Sequence, residues 1–211
     1  MKDKQIIEEK SKKLGSLATR LAKYLSPQIY KNIFEEEKDQ GVSHSRKNLT
    51  VFFSDIVNFT KLSEIIESEE LTGLLNYYLT EMSHIALKHG ATIDKYIGDA
   101  IVIFFGDPET KGIEEDALSC VKMAIEMKSK MFELRNHWKH YGLAEPLQSR
   151  MGIHTGFCTV GNFGSENRMD YTVIGSGVNL AARLESASEP GNILMSYDTC
   201  LLYTSPSPRD V

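Results

Sequence analysis

"ATIDKYIGDAIVIFFG", residues 91–106, sets two runs of β-branched and aromatic residues on either side of Gly98-Asp99. Glycine tolerates the positive φ that a tight reversal needs, so the stretch is predicted to be a β-hairpin. Upstream, "LTVFFSDI" (49–56) reads as a strand, and residues 60–88 carry Leu62, Ile65, Ile66, Leu74, Leu75, Met82 and Ile85 at helical spacing. Downstream, an amphipathic helix is predicted over roughly 114–139, and "SRMGIHTGFCTVGNFG" (149–164) reads as a second hairpin. "MDYTVIG" then gives a short strand, "SGVNLAARLESA" a helix capped by Ser176, and "GNILMSYD" a closing strand. The order βαββα, followed by further strands and a helix, predicts an α+β fold: an antiparallel-rich sheet with helices on one face.

The flanks read differently. Ile7, Leu14 and Leu21 recur every seven residues, with Leu17 and Tyr24 offset by three and Lys10 interrupting. That spacing fits either a short coiled-coil seam or an amphipathic helix packed on its own domain. Ser26-Pro27 starts a second helix, with Ile29, Tyr30, Ile33 and Phe34 as its apolar face. "EEEKDQGVSHSRKN" is a charged connector. Residues 1–47 are thus expected to form a helical linker and 48–200 the main domain. In "CLLYTSPSPRDV", two Ser-Pro pairs forbid regular helix, and residues 201–211 read as a disordered tail or a cloning or assembly scar, the scar being preferred.

Composition narrows the function classes. Hydrophobic residues make up 41% and charged residues 25% of the 211, as in soluble globular proteins. No apolar run approaches the ~18 residues of a membrane span, and the N-terminus has no signal-peptide core. A net charge of −5 argues against a nucleic-acid surface. Cys120, Cys158 and Cys200 lack metal-ligand spacing and read as reduced packing residues, which places the chain in the cytoplasm, alone or as the cytosolic part of a larger membrane-bound or multidomain sensor.

Asp55 closes an apolar strand, and Asp99 sits at the turn of a hairpin able to pair beside it. Each alone reads as a cap or turn residue. Two carboxylates at one sheet edge repel unless a cation lies between them, and hard oxygen ligands suit Mg²⁺ or Mn²⁺.

"TVFFSDIVNFT", "DKYIGDAIVIFF", "MGIHTGFCTVGNFG" and "DYTVIGSGVNLAARLES" together resemble the class III nucleotidyl cyclase catalytic domain, from about Asn48 to Asp198. The resemblance implies a ferredoxin-like βαββαβ core and the conversion of ATP to 3′,5′-cyclic AMP and pyrophosphate. It makes Asp55, Asp99 and the Ile56 carbonyl the ligands of two metal ions, Mg²⁺ or Mn²⁺. The turn Asn58-Phe59-Thr60 becomes a phosphate cradle, and Arg150 a triphosphate ligand. Asn58 replaces a glycine common in relatives, and Asn tolerates left-handed backbone.

Lys95 and Thr172 match the positions that read the purine. Lys95 only donates, which suits adenine N1, and Thr172 can accept from the adenine amino group. Many relatives have Asp at the second position, and Thr, which can also donate, is expected to discriminate less sharply. The resemblance is thus to a bacterial-type adenylate cyclase with Thr at that place. By the same resemblance Asn179 orients the ribose and Arg183, one helical turn on, stabilises charge on the α-phosphate and leaving group. The implied assembly is a head-to-tail homodimer with composite sites, fed by an upstream sensor absent from this chain. "LAKYLSPQIYKNIF" looks like the segment linking the two in bacterial members. A further triphosphate-binding lysine of the family lies beyond "SPSPRD", so weak or absent turnover is expected of the chain as it stands. A catalytically silent nucleotide-binding regulatory module and a guanylate cyclase are the alternatives.

Overall fold

A computed structural model of the chain describes residues 2–21, 24–25, 30, 44–139, 143, 146–165 and 167–203. It divides into two compact units, residues 1–41 and 42–211. In the first, α1 (Lys2–Leu21) keeps its heptad residues Ile7, Leu14, Leu17 and Leu21 exposed. The helix expected from Ser26-Pro27 lies outside the described residues apart from Tyr30, as does the end of the chain beyond Tyr203.

The second unit runs β1 (His44–Ile56), α2 (Phe59–Ser63), α3 (Ser68–Lys88), β2 (Thr92–Ile97), β3 (Ala100–Phe105), α4 (Ile113–Trp138), β4 (Ser149–Ser165), β5 (Arg168–Ile174), α5 (Ser176–Ala187), β6 (Ile193–Met195) and α6 (Tyr197–Leu201). The sheet order is β2-β3-β1-β4-β5, all antiparallel, and β6 adds to β4 in parallel. The hairpin at 91–106 forms as read, with Gly98 at φ 63° in its turn. β1 begins earlier than its apolar run because His44–Asn48 pair with Phe157–Gly161 of β4.

Alternation along β1 divides the core. Phe52 and Ile56 join Tyr78 and Met82 of α3 and Met123, Met127 and Trp138 of α4. Leu49 and Val51 point the other way, onto Phe104, Cys158, Val160, Val173 and Ala181 of α5. The two long helices therefore share one face, as expected, while α5 lies against the opposite one.

Three local expectations need correction. Residues 149–164 are not a hairpin but one continuous strand, and the reversal falls after Ser165, into β5. The glycines that suggested a turn serve close approach instead. A Cβ on Gly152 would lie 2.2 Å from the Glu185 backbone nitrogen, and one on Gly156 would lie 2.6 Å from His154 Nε2. Ser176 is the first helical residue rather than the cap: Gly175 holds the cap position at φ 138°, and no side chain caps there. The helical run over 60–88 breaks into α2 and α3 around Glu64–Glu67.

Gly152 therefore fixes how closely α5 rests on β4. Gly152→Ala is expected to lower the unfolding free energy by roughly 2–3 kcal/mol, as overpacking against backbone does. Denaturant unfolding of the two proteins checks this, with an unchanged midpoint as the contrary result.

Candidate active site

The chemistry-bearing residues gather where β1, β3 and β4 leave the sheet together. In the β1–β4 ladder Asp55 stands opposite Arg150. The guanidinium grips the carboxylate with two bonds, Nη2 to Oδ2 at 2.7 Å and Nε to Oδ1 at 3.2 Å. This pairing raises the Arg150 pKa further. The β2–β3 turn carries Asp99 to the same end, where its Oδ2 accepts the Ile56 N–H at 2.8 Å. Burial pushes the Asp99 carboxyl above its ordinary value; the Ile56 N–H opposes the shift and the nearby Asp55 adds to it.

Glu185 of α5 is a third acid in this group, and the sequence did not single it out for the site. Its Oε1 is 3.3 Å from Arg150 Nε, within ion-pair reach but off hydrogen-bond geometry. Burial first, and then the hydrogen bond and charge of Asp55, push Glu185 well above the ordinary carboxylate value. Arg150 thus faces more than one acid.

Do these residues fit a divalent cation? Asp55 and Asp99 offer hard oxygens and repel each other, and the backbone N–H bond fixes Asp99 through one oxygen only. That donor chemistry suits Mg²⁺ or Mn²⁺ completed by water and phosphate oxygens. Among the described residues no group of three or more His, Cys, Asp or Glu side chains is arranged to hold a metal alone.

Asn58 has φ 59° and ψ 25°, the left-handed conformation its identity permits, and it precedes α2. Phe59 packs partly buried on the core and Thr60 is exposed. The left-handed backbone that Asn58 was expected to tolerate is therefore present at the entry to α2.

Lys95 and Thr172 lie on the two edge strands, β2 and β5. Coiling of the sheet brings these edges together, and the meeting point is a residue that sequence reading passed over. Thr172 Oγ1 donates to Asp94 Oδ2 at 2.9 Å, and Lys95 Nζ lies 3.6 Å from the same oxygen. Asp94 has a side chain only 2% exposed, and its Oδ1 makes no hydrogen bond. Burial is the main cause of its pKa rising to about 6, opposed by Lys95 and Thr172. An acid inside a strand, next to a lysine, was the available signal. Asn179 and Arg183 are exposed together on α5, in contact with neither cluster in any hydrogen bond or ion pair among the described residues.

Comparison with known proteins points to one family. The family described as "Adenylate and Guanylate cyclase catalytic domain" matches residues 42–208. "Adenylate cyclase 1" of Rhizobium meliloti is 31% identical over 170 residues, 80% of this chain and 25% of that protein. The chain thus spans about a quarter of that curated relative. Among solved structures, the adenylyl cyclase CyaB from P. aeruginosa is similar at 59% identity and TM-score 0.75, over 76% of this chain and 82% of that one. The guanylyl cyclase Cya2 is similar at 37% identity and TM-score 0.72, over 79% and 82%. No helix among the described residues is long and apolar enough to cross a membrane.

The buried Asp94 makes a pH prediction. Its folded value of about 6 exceeds the ordinary 3.8, so the folded state holds the proton more tightly. The penalty for ionising it is therefore absent below about pH 4 and complete above about pH 6. Asp94→Asn removes the penalty. The variant is expected to match or exceed the parent's stability at pH 7, with that advantage shrinking by about 1 kcal/mol at pH 5. Unfolding curves at both values check the sign.

Proposed function

The chain belongs to the adenylate and guanylate cyclase catalytic domain family, and on that footing we propose that it cyclises ATP to 3′,5′-cyclic AMP and pyrophosphate. The observation that carries this reading is the convergence of Asp55, Asp99 and the Ile56 backbone at one end of the sheet. In the reaction the ribose 3′-hydroxyl attacks the α-phosphorus in line, and the bond to the pyrophosphate oxygen breaks. Two divalent ions, Mg²⁺ or Mn²⁺, held by Asp55, Asp99 and the Ile56 carbonyl would lower the hydroxyl's pKa and neutralise the triphosphate.

The remaining roles fall to the chain's own groups. Lys95 donates to adenine N1, and Thr172 meets the adenine amino group. Asn179 orients the ribose, and the Arg183 guanidinium faces charge developing on the α-phosphate and leaving group. Arg150 and the Asn58-Phe59-Thr60 turn hold the phosphate chain. The bidentate bond of Arg150 to Asp55 supports its part, since a guanidinium fork that fits a carboxylate also fits a phosphate.

Among the described residues Asn179 and Arg183 make no hydrogen bond or ion pair with Asp55 or Asp99, in keeping with sites composed from two copies. In a head-to-tail homodimer one copy supplies Asp55 and Asp99, and the other supplies Lys95, Thr172, Asn179 and Arg183. An upstream sensor would set the orientation of the two copies.

Two experiments test the proposal. Incubation of the chain, or of a form extended at its C-terminus, with ATP or GTP and Mg²⁺ or Mn²⁺ is expected to yield cyclic AMP in preference to cyclic GMP, identified by mass spectrometry. No cyclic nucleotide under any combination overturns the enzyme reading, and predominant cyclic GMP overturns the substrate. Asp55→Ala and Arg183→Ala should each lower kcat at least ~100-fold. Mixed in equal amounts they should recover about a quarter of the parent activity, because half the dimers are mixed and each has one intact site. Failure of the mixture to recover, with both variants folded and dimeric, removes the shared-site arrangement.

A further inference from the structure

Thr172 is chemically ambivalent: a hydroxyl can donate to the 6-oxo group of guanine or accept from the 6-amino group of adenine. The fold does not leave that choice open. β2 pairs with β3 through Ile93↔Ile103 and Lys95↔Val102, so Asp94 is the extra residue of a β-bulge. Bulges re-aim side chains, and this one directs the Asp94 carboxylate inward, 2% exposed, to the Thr172 hydroxyl across the coiled sheet. At neutral pH, above its value of about 6, this carboxylate is mostly ionised, and in that form it only accepts. The single Thr172 proton is therefore spent on Asp94 Oδ2 at 2.9 Å, which leaves the hydroxyl only lone pairs for a further partner.

We propose that Asp94 is a positioning residue that sets the choice of base: by taking the Thr172 proton it fixes the hydroxyl as an acceptor, which welcomes a 6-aminopurine and leaves a 6-oxopurine facing an acceptor. The inference rests on the reading of Lys95 and Thr172 as the residues that meet the purine. A second observation supports it. Asp94 Oδ1 is buried without a hydrogen bond, an arrangement that costs stability and that packing alone does not call for. Lys95 Nζ, 3.6 Å from the same Oδ2, brings the second base-facing group to this carboxylate, so one side chain tethers both.

The test measures equilibrium binding of 3′-deoxy-ATP and 3′-deoxy-GTP, which cannot cyclise, with Mg²⁺ present. It compares the parent chain, Asp94→Asn, Thr172→Val and the double variant. The parent is expected to prefer the adenine nucleotide. In Asp94→Asn the carboxamide can donate as well as accept, so Thr172 regains its choice and the adenine preference falls about 10-fold, about the worth of one hydrogen bond. In the Thr172→Val background the same change should move the preference less than about 2-fold, because the hydroxyl it acts through is gone. A side chain that only supported the fold would weaken both nucleotides alike and leave their ratio intact.

If Thr172→Val shifts the ratio and Asp94→Asn does not, the proton lock is wrong while the base-reading assignment stands. An unchanged ratio in Thr172→Val overturns that assignment and the lock together, as does a parent that binds neither nucleotide. Asp94→Leu, similar in size and unable to accept, replaces Asp94→Asn should the latter not fold, with the same expected loss of preference.

Discussion

Everything at the site depends on the register of β1 against β4. The two strands pair along the whole length of β1, from His44 opposite Gly161 to Ile56 opposite Ser149. A slip of one residue would turn every side chain of β1 to the other face. Phe52 and Ile56 would then leave the layer they share with α3 and α4, so the buried surface enforces the register. The same register sets Asp55 across from Arg150, a pairing that no local preference of either residue would produce. Core packing thereby fixes the polar site at the end of the ladder.

Charge at that end is held in balance by few groups. Arg150 bonds Asp55 and lies within ion-pair reach of Glu185, while Asp99 relies on a backbone N–H. Clustered acids short of cations show themselves in the raised values of Asp99 and Glu185, where burial is the leading cause and Asp55 contributes to both. Such a cluster is poor material for stability and good material for binding a cation, because the repulsion is relieved when one arrives. The close seat of α5 on Gly152 brings Glu185 into this group and leaves Asn179 and Arg183 on the exposed side of the same helix.

Much of this was legible in the sequence because it is local. The hairpin around Gly98-Asp99, the helix of α4 and the left-handed Asn58 follow from turn chemistry and periodicity confined to a few residues. The failures share a cause. Gly152 and Gly156 suggested a turn within β4 because glycine at a turn and glycine at a close approach look alike until the neighbours, α5 for one and His154 for the other, are placed. Sequence reading passed over Asp94, and only the bulge at Ile93 and the coil that carries β5 to β2 give it a partner 78 positions away. Long-range pairing decides what such a residue does, and the one local sign was an acid inside a strand beside a lysine.

The hairpin β2–β3 has a mechanical role beyond its place in the sheet. It sends one carboxylate from its turn, Asp99, to the Ile56 N–H, and another from its bulge, Asp94, to Thr172. Both groups that meet a purine in the proposed reading, and one of the two metal-facing acids, are therefore tied to a single rigid element whose strands are six residues each. In the proposed head-to-tail pair these would belong to two different sites, the acid serving one nucleotide and the lysine the other. A displacement of the hairpin in one copy would then disturb metal binding at one site and base recognition at its neighbour at once. Such coupling needs no signal passing through the core, because the shared backbone of residues 92–105 is itself the connection.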